Sequence, residues 1–318
     1  MRALITGVTG FVGSHMAELL LKKNVEVYGS KRWRSPMDNV EHIKNDINFV
    51  ECELRDFSSV NRAISEVKPD VIYHLAAQSY VPASFRLPAD TLHVNIIGTA
   101  NLLEAIRLNK QNPLIHICSS SEVYGQVRPD EVPIKETNPL RPASPYGISK
   151  AGEDFLGQQY FISYGMKTLI TRMFSHTGPR RGDVFVASSF AKQIAEIEKG
   201  VKKERTIRAG NLDSVRTFAD VRDAVRAYWL LTEKCKPGEV YNIGGTETMT
   251  IREMLDKLLK ISGHDDIAAK QDPALIRPSD VTLQIPDNTK FFKATGWKPE
   301  IPFEQTLKDL LNYWRERV

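Results

Sequence analysis

Cysteine is scarce in this chain: Cys52, Cys118 and Cys235 make up the whole set, and no two stand in a C-x-x-C spacing. That excludes a disulfide framework and a cysteine-built zinc site, and it fits a reducing compartment. No metal site is expected. Long apolar runs are missing too, and none approaches the ~20 residues that a membrane helix needs. The N-terminus enters a strand-like run with no charged-then-apolar leader, so a cytoplasmic protein without a membrane partner is expected. A strong excess of one charge is also absent. A net charge of +4 over 318 residues is too mild for a nucleic-acid surface, and leaves room only for a modest preference for anionic ligands. Repeats, low-complexity tracts and flexible linkers are not found. With 42% apolar and 26% charged residues the composition is that of a globular protein, and the length suits two lobes.

What is present begins at the second residue. Residues 2–6 form a short apolar run suited to a buried parallel strand. Gly7-Val8-Thr9-Gly10-Phe11-Val12-Gly13 follows, and residues 14–23 carry Met16, Leu19 and Leu20 at helical spacing. Strand, glycine loop and helix together are the setting of a dinucleotide fingerprint, in which backbone N–H groups meet a pyrophosphate at the positive end of the helix. Gly7, Thr9, Gly10, Phe11, Val12 and Gly13 are therefore candidate cofactor residues. A second strand is expected over 25–29. An acid at its end would bind a ribose 2′-hydroxyl and indicate NAD. Ser30-Lys31-Arg32-Trp33-Arg34-Ser35 stands there instead. Its cations and hydroxyls suit a 2′-phosphate, so NADP is the expected cofactor, held by Arg32 and Arg34. A third strand over 48–52 leads to Glu53 and Leu54, placed for the adenine end. A fourth, over 71–77, ends in the cofactor candidates Leu75, Ala76 and Ala77, and the small side chains of Ala76 and Ala77 admit a cofactor. His74 within it reads as a core histidine. With a helix over 99–108 and a fifth strand over 114–118, the alternation predicts a Rossmann-type α/β fold with a doubly wound parallel sheet.

Cys118-Ser119-Ser120-Ser121-Glu122-Val123-Tyr124-Gly125 begins at the carboxyl end of that central strand, where ligands bind in open α/β sheets. Tyr146 stands just before a helical run over 147–160, four residues from Lys150, so the two share a face. Ser120, Glu122, Tyr146 and Lys150 thus offer a hydroxyl, a carboxylate, a phenol and an ammonium, a set able to take protons from a sugar alcohol. Domain boundaries are expected at 1–174 for the nucleotide domain, with a return segment at about 213–245. Residues 175–212 and 246–318 are expected to form a smaller α/β substrate lobe.

With these motifs the chain resembles the extended short-chain dehydrogenase/reductases that act on nucleotide sugars, and among them the GDP-mannose 4,6-dehydratase branch. The resemblance runs from residue 1 to about 300. It is carried by the glycines, Tyr146-x-x-x-Lys150, Leu75-Ala76-Ala77-Gln78-Ser79, Ser121-Glu122-Val123-Tyr124-Gly125, Gly178-Pro179-Arg180-Arg181-Gly182, Gly210-Asn211-Leu212-Asp213 and Arg277-Pro278. It implies Tyr146 as base at a 4-hydroxyl, Lys150 as its support, Ser120 on the C4 oxygen, and Glu122 as acceptor of a C5 proton. It implies a GDP-sugar substrate, GDP-mannose foremost, contacted by Ser84, Ser121, Glu122, Ser175, Lys192, Arg216, Arg277 and Asp280. A homodimer or homotetramer is implied as well, with Arg180 and Arg181 reaching a neighbouring subunit's cofactor. Three positions depart from the pattern: Ser120 stands for a usual Thr, Ser175 for an Asn, and Asp280 for a Glu. A GDP-4-keto-6-deoxy-sugar reductase or a nucleotide-sugar epimerase on the same scaffold remains the alternative.

Overall fold

The computed structural model describes residues 1–264 and 266–318. Six strands come first: β1 (Arg2–Thr6), β2 (Glu26–Lys31), β3 (Asn48–Glu51), β4 (Val71–His74), β5 (Leu114–Ser120) and β6 (Thr168–Met173). Four short ones then leave the sheet: β7 (His176–Thr177), β8 (Thr206–Ala209), β9 (Val215–Thr217) and β10 (Ala219–Asp220). The chain returns with β11 (Val240–Ile243) before β12 (Thr248–Thr250), β13 (Ala268–Gln271) and β14 (Leu283–Gln284). The central sheet has seven strands in the order β11-β6-β5-β4-β1-β2-β3, each pair parallel. Strand order reverses between β1 and β4, and a crevice opens at the carboxyl ends there. This is the doubly wound, Rossmann-type α/β sheet that the alternation of the sequence led us to expect.

Both faces of the sheet are covered, which is why β1 and β4 read as continuous apolar runs rather than alternating ones. On one face lie α1 (Phe11–Lys22) and, from later in the chain, a helix over Val221–Lys234, packing Met16, Leu20, Ala224 and Tyr228 into one apolar cluster. On the other, α2 (Phe57–Val67) supplies Val60 and Ile64. Two short helices, α3 (Val81–Arg86) and α4 (Pro88–Leu92), run into a π-helical turn over His93–Ile97 and then into α5 (Gly98–Leu108), which adds Leu102 and Ile106 to the second cluster. The long α6 (Pro145–Tyr164) follows, then α7 (Val186–Glu198), α8 as the Val221–Lys234 helix, α9 (Ile251–Ser262), α10 (Thr289–Thr295) and α11 (Phe303–Arg315). A third apolar cluster is built from α7, α9 and α11, with Phe190, Ile194, Met254, Leu258, Leu307 and Leu310 at its centre. Strands β8, β9, β12, β13 and β14 lie in two small sheets apart from the central one.

Four of the boundaries that differ from those expected matter for the site. Strand β4 ends at His74, so Leu75, Ala76 and Ala77 lie in the loop beyond it and not in the sheet. Strand β5 runs to Ser120, so Ser119 and Ser120 belong to the sheet rather than to a loop. Strand β2 runs to Lys31, which carries the first basic residue on the strand itself. Helix α6 starts at Pro145, with Ser144 as N-cap accepting from the Gly147 N–H at 3.0 Å. Proline at the first helical position and a capping serine both favour that start, and they put Tyr146 in the first turn.

Candidate active site

The carboxyl ends of β1, β4 and β5 open on a cleft of about 480 Å³. Gly7 sits at φ +70°, and a Cβ there would lie 2.9 Å from the Ala76 Cα. A Cβ on Gly13 would meet the Gly7 carbonyl oxygen at 2.3 Å. The loop therefore folds against bare backbone at both ends, leaving a cradle with no side chain in the way. Such a cradle at the start of α1 fits a pyrophosphate. Gly7, Thr9, Gly10, Phe11, Val12, Gly13, Arg32, Glu53, Leu54, Leu75, Ala76, Ala77, Tyr146 and Lys150 all line this cleft. Ser30, Lys31 and Ser35 join Arg32 on the rim. Arg34 does not line it: its guanidinium stacks 4.5 Å over the exposed Trp33 ring.

Behind the cradle, the wall is wired together. The Thr6 hydroxyl oxygen accepts from the N–H groups of Leu75 (3.0 Å) and Ala76 (3.1 Å), and meets His74 Nδ1 at 2.9 Å. Thr99 spends its hydroxyl proton on the Asn95 carbonyl at 2.6 Å, so at 3.0 Å it can only accept from His74 Nε2. Nδ1 then takes the proton of Thr6. Burial holds this imidazole down to about 3, so it stays neutral. His74 is a satisfied core residue that pins β1 to β4.

Tyr146, Lys150 and Ser120 meet at the floor of the cleft. Lys150 Nζ donates to the Cys118 carbonyl at 2.9 Å and to Glu153 Oε2 at 3.0 Å. Burial raises the Tyr146 phenol, while the Lys150 charge and a hydrogen bond with Ser120 pull it back down. Ser120 also caps the next turn, accepting from the Glu122 N–H at 3.2 Å. A Cβ on Gly147 would stand 2.8 Å from the Glu122 carbonyl oxygen, so only glycine lets α6 press Tyr146 against this turn. Glu122 is half-buried there and faces the Arg216 guanidinium electrostatically.

A second cleft of about 580 Å³ gathers Arg216, Arg277 and Asp280, with Tyr80, Arg208 and Asn211 among its walls. Arg216 donates to Gln284 Oε1 at 3.0 Å and to the Val281 carbonyl at 2.7 Å, and stands 3.6 Å from Asp280. Burial lowers its guanidinium, against the opposing pull of Glu122 and Asp280. Asp280 accepts from Asn211 and Ser214, both at 3.1 Å, and lies 3.8 Å from Arg277. Five other candidates are not in this lining, and one of them, Glu122, lines neither cleft. Ser84 is buried and donates to the Val81 carbonyl at 2.7 Å. Ser121 donates to Gln284 Oε1 at 2.8 Å, and so braces Arg216 from behind. The Ser175 carbonyl takes the Ala219 N–H at 3.0 Å. Lys192 is paired with Asp183 at 2.6 Å.

Two features of the site were not read from the sequence. Asn95 donates to Ser149 Oγ at 2.9 Å and to the Gln78 carbonyl at 3.0 Å, and accepts from the Gln78 N–H at 2.8 Å, tying α6 to the end of β4. It sits in the π-helical turn, a distortion that recurs at functional sites. Arg181, expected at a subunit contact, enters its own chain's first cleft. It lies 3.4 Å over the Phe185 ring and 4.9 Å over Phe11. Burial draws its guanidinium down to about 10, still charged at neutral pH. Arg180 is engaged within the chain as well, by Glu18 at 2.7 and 3.0 Å and by the Asn39 carbonyl at 3.1 Å. Among the described residues, no helix is long and apolar enough to cross a membrane, and no group of His, Cys, Asp and Glu is gathered for a metal.

Residues 4–310 match the family model described as GDP-mannose 4,6 dehydratase. The GDP-mannose 4,6-dehydratase of Yersinia enterocolitica is 34% identical, over 98% of this chain and 92% of its own length. The GDP-6-deoxy-D-mannose reductase of Pseudomonas aeruginosa is also 34% identical, over 100% of this chain and 98% of its own. Among solved structures, RMD from Pseudomonas aeruginosa complexed with NADPH superposes with a TM-score of 0.85 at 33% identity, covering 100% of this chain and 99% of that one. The UDP-glucose 4-epimerase of Thermus thermophilus with NAD gives 0.88 at 31% identity, covering 100% of both chains.

Proposed function

The chain belongs to the GDP-mannose 4,6 dehydratase family, and on that footing we propose that it converts GDP-mannose to GDP-4-keto-6-deoxymannose with NADP held in the first cleft. The observation that carries this reading is the position of Glu122, within the turn that Ser120 caps, against the start of α6, and close enough for its charge to act on Arg216. Reduction of a 4-keto group needs no proton taken from C5. Elimination of water does.

The difficulty of losing water from C6 of a hexose is that the C5 proton is not acidic. A ketone at C4 makes C5 an α-carbon and removes that difficulty. When bound, the dinucleotide supplies a hydride acceptor for C4 and returns the hydride at C6. Tyr146 takes the 4-hydroxyl proton. An ordinary phenol ionises near pH ~10, and the Lys150 ammonium behind it favours the phenolate. Ser120 hydrogen-bonds the C4 oxygen. Glu122 takes the C5 proton and hands it to the departing 6-hydroxyl, which leaves as water, and the proton that Tyr146 took from the 4-hydroxyl balances the one that C5 regains when C6 receives hydride. Arg216 and Arg277 hold the diphosphate of the GDP-sugar, for which paired guanidinium donors are suited. Lys31, Arg32 and Ser35 take the 2′-phosphate of NADP, and Arg181 offers a cation to the anionic part of the cofactor. The cluster under α7, α9 and α11 is the substrate lobe, and the sheet with α1, α2 and α5 the nucleotide domain.

A second reading has its own support. The Pseudomonas aeruginosa reductase matches this chain at equal identity and nearer its full length. One assay separates the two: incubation with GDP-mannose and no reductant, read by mass. Loss of one water supports the dehydratase. No change, with turnover of a GDP-4-keto-6-deoxy sugar only when NADPH is added, supports the reductase.

The working unit is proposed to be a homodimer. Ile148, Phe155 and Ile162 recur at seven-residue intervals along α6 and are 49%, 56% and 79% exposed, with Ile97 and Leu108 at the two ends of the neighbouring α5. Residues seven apart lie nearly in line on a helix, so α6 offers a row of exposed apolar side chains to a second copy. Phe155→Lys should leave a monomer in sedimentation; an unchanged mass would remove this interface.

A further inference from the structure

One buried carboxyl touches the catalytic group and has no part in the chemistry above. Glu153 lies three residues after Lys150 on α6, is 1% exposed, and accepts from Lys150 Nζ with Oε2 at 3.0 Å. Its Oε1 is buried with no hydrogen-bond partner among the described residues. The adjacent Asp154 offers a contrast. Both its oxygens are engaged, Oδ2 by Arg172 Nε at 2.7 Å and Oδ1 by Gln158 at 2.6 Å, and it serves to join α6 to β6. A half-satisfied buried acid is a poor structural device. Among the described residues, Glu153 makes its one polar side-chain contact with the active-site lysine.

An ammonium has three protons to place. Two of those on Lys150 are committed inward, to the Cys118 carbonyl and to Glu153, which leaves the third for the cleft that Lys150 lines. We propose that Glu153 is a positioning residue for the reaction: it holds the Lys150 ammonium from behind, and its charge sets the pH at which Tyr146 becomes a phenolate. This rests on the reading of Tyr146 as the base.

The charges around the pair fix the direction of the effect. On Tyr146 burial acts upward, Lys150 and Ser120 act downward, and Cys118 on β5 and Glu153 on α6 act upward. Arg181 from the loop after β7 and Tyr228 of α8 also feel Tyr146. On Glu153 burial raises the carboxyl to about 7, against the pull of Lys150, and Asp154 adds to the rise. Asp154 is itself balanced by Arg172 of β6. His74 of β4 and His116 of β5, both held near 3 by burial, are neutral and add no charge. Above neutrality Glu153 is therefore an anion that offsets part of the Lys150 field, and removing its charge eases loss of the phenol proton to solvent.

The test reads Tyr146 itself and needs no sugar turnover. Tyrosinate absorbance of the NADP+ complex is titrated, with the matching Tyr146→Phe protein subtracted, in the native and Glu153→Gln backgrounds. Glutamine keeps an acceptor for Lys150 and drops the charge. The Tyr146 titration should move down by roughly one pH unit, a usual effect of a buried charge a few ångströms away. NADP+ affinity should stay within about twofold. Glu153→Asp, which keeps the charge but withdraws it by one methylene, should move the titration the same way by less. An unmoved or raised titration in both variants overturns the proposal. A Tyr146 that titrates in neither background overturns instead its assignment as base, whatever the sugar assay gives.

Discussion

The two clefts of this protein are built in different ways. The first is made of backbone and small residues at the ends of adjacent parallel strands. Its wall is closed by hydrogen bonds running from Thr6 through His74 to Thr99 and Asn95. The second is made of long side chains from segments near 80, 210 and 280, and its charges meet at looser distances, 3.6 Å for Arg216 to Asp280 and 3.8 Å for Arg277 to Asp280. On the proposed reading the first is the socket for NADP, a molecule kept through the cycle. The second suits a substrate that must enter and leave. Glu122 lines neither, but its N–H donates to Ser120 of the first and its charge acts on Arg216 of the second.

Crowding the socket should hurt more than thinning the second cleft. Gly13→Ala drives a methyl to 2.3 Å from the Gly7 carbonyl oxygen and must displace the loop. Overpacking of this kind costs about 1–3 kcal/mol, so NADP affinity by calorimetry should fall roughly 10- to 100-fold. An unchanged affinity would mean that the loop is softer than its contacts imply. In the second cleft the two arginines should separate. Arg216→Ala removes a buried donor with two fixed partners, and kcat/KM should fall by about 10- to 30-fold, a loss of ~1.5–2 kcal/mol typical of hydrogen bonds to charged groups. Arg277 is a third exposed and weakly paired, and its removal should cost about threefold. Equal losses from both would break the distinction between a braced and a loose arginine.

A smaller effect concerns the buried histidines. His15 and His176 are held near 4, and His74 and His116 near 3, chiefly by burial. An unfolded histidine takes its proton near ~6.5. The unfolded chain therefore binds more protons between pH ~6.5 and the folded values, and stability present above that window is lost as pH falls through it. Glu153, raised to about 7, works the opposite way and releases a proton on unfolding in the same range. Unfolding near pH ~5.5 should take up about three protons in all. Uptake near zero would contradict the neutral, buried state of these imidazoles.

The contrast between the clefts also explains what could be read in advance. The socket is local in sequence: a strand, three glycines and a helix sit within the first 22 residues, and their steric needs are written in residue type. The second cleft is not local. Whether a serine or lysine faces it depends on which way a helix or loop turns, and the residue type carries no such information. Lys192 is a cation of the right kind, yet α7 turns it to Asp183. Ser121 is polar and central, yet its proton goes to Gln284, 163 residues away. Arg34 has the right charge two residues past Arg32, but stacks on Trp33 away from the cleft. Asn95 escaped notice because a π-helical turn leaves no mark in a 3.6-residue pattern. The place of Glu122 just past a central strand, by contrast, is legible in the sequence, and β5 fixes where that strand ends.

The most direct measurement on Glu122 is a rapid-mix experiment with GDP-mannose on the NADP+-loaded native and Glu122→Gln proteins, following NADPH absorbance and product mass together. Glu122→Gln should still form NADPH at C4 oxidation while water loss falls by at least about 10²-fold, the usual contribution of a positioned acid–base group. Water loss at the native rate in that variant would contradict the role given to Glu122, and with it the reading of the site as a lyase.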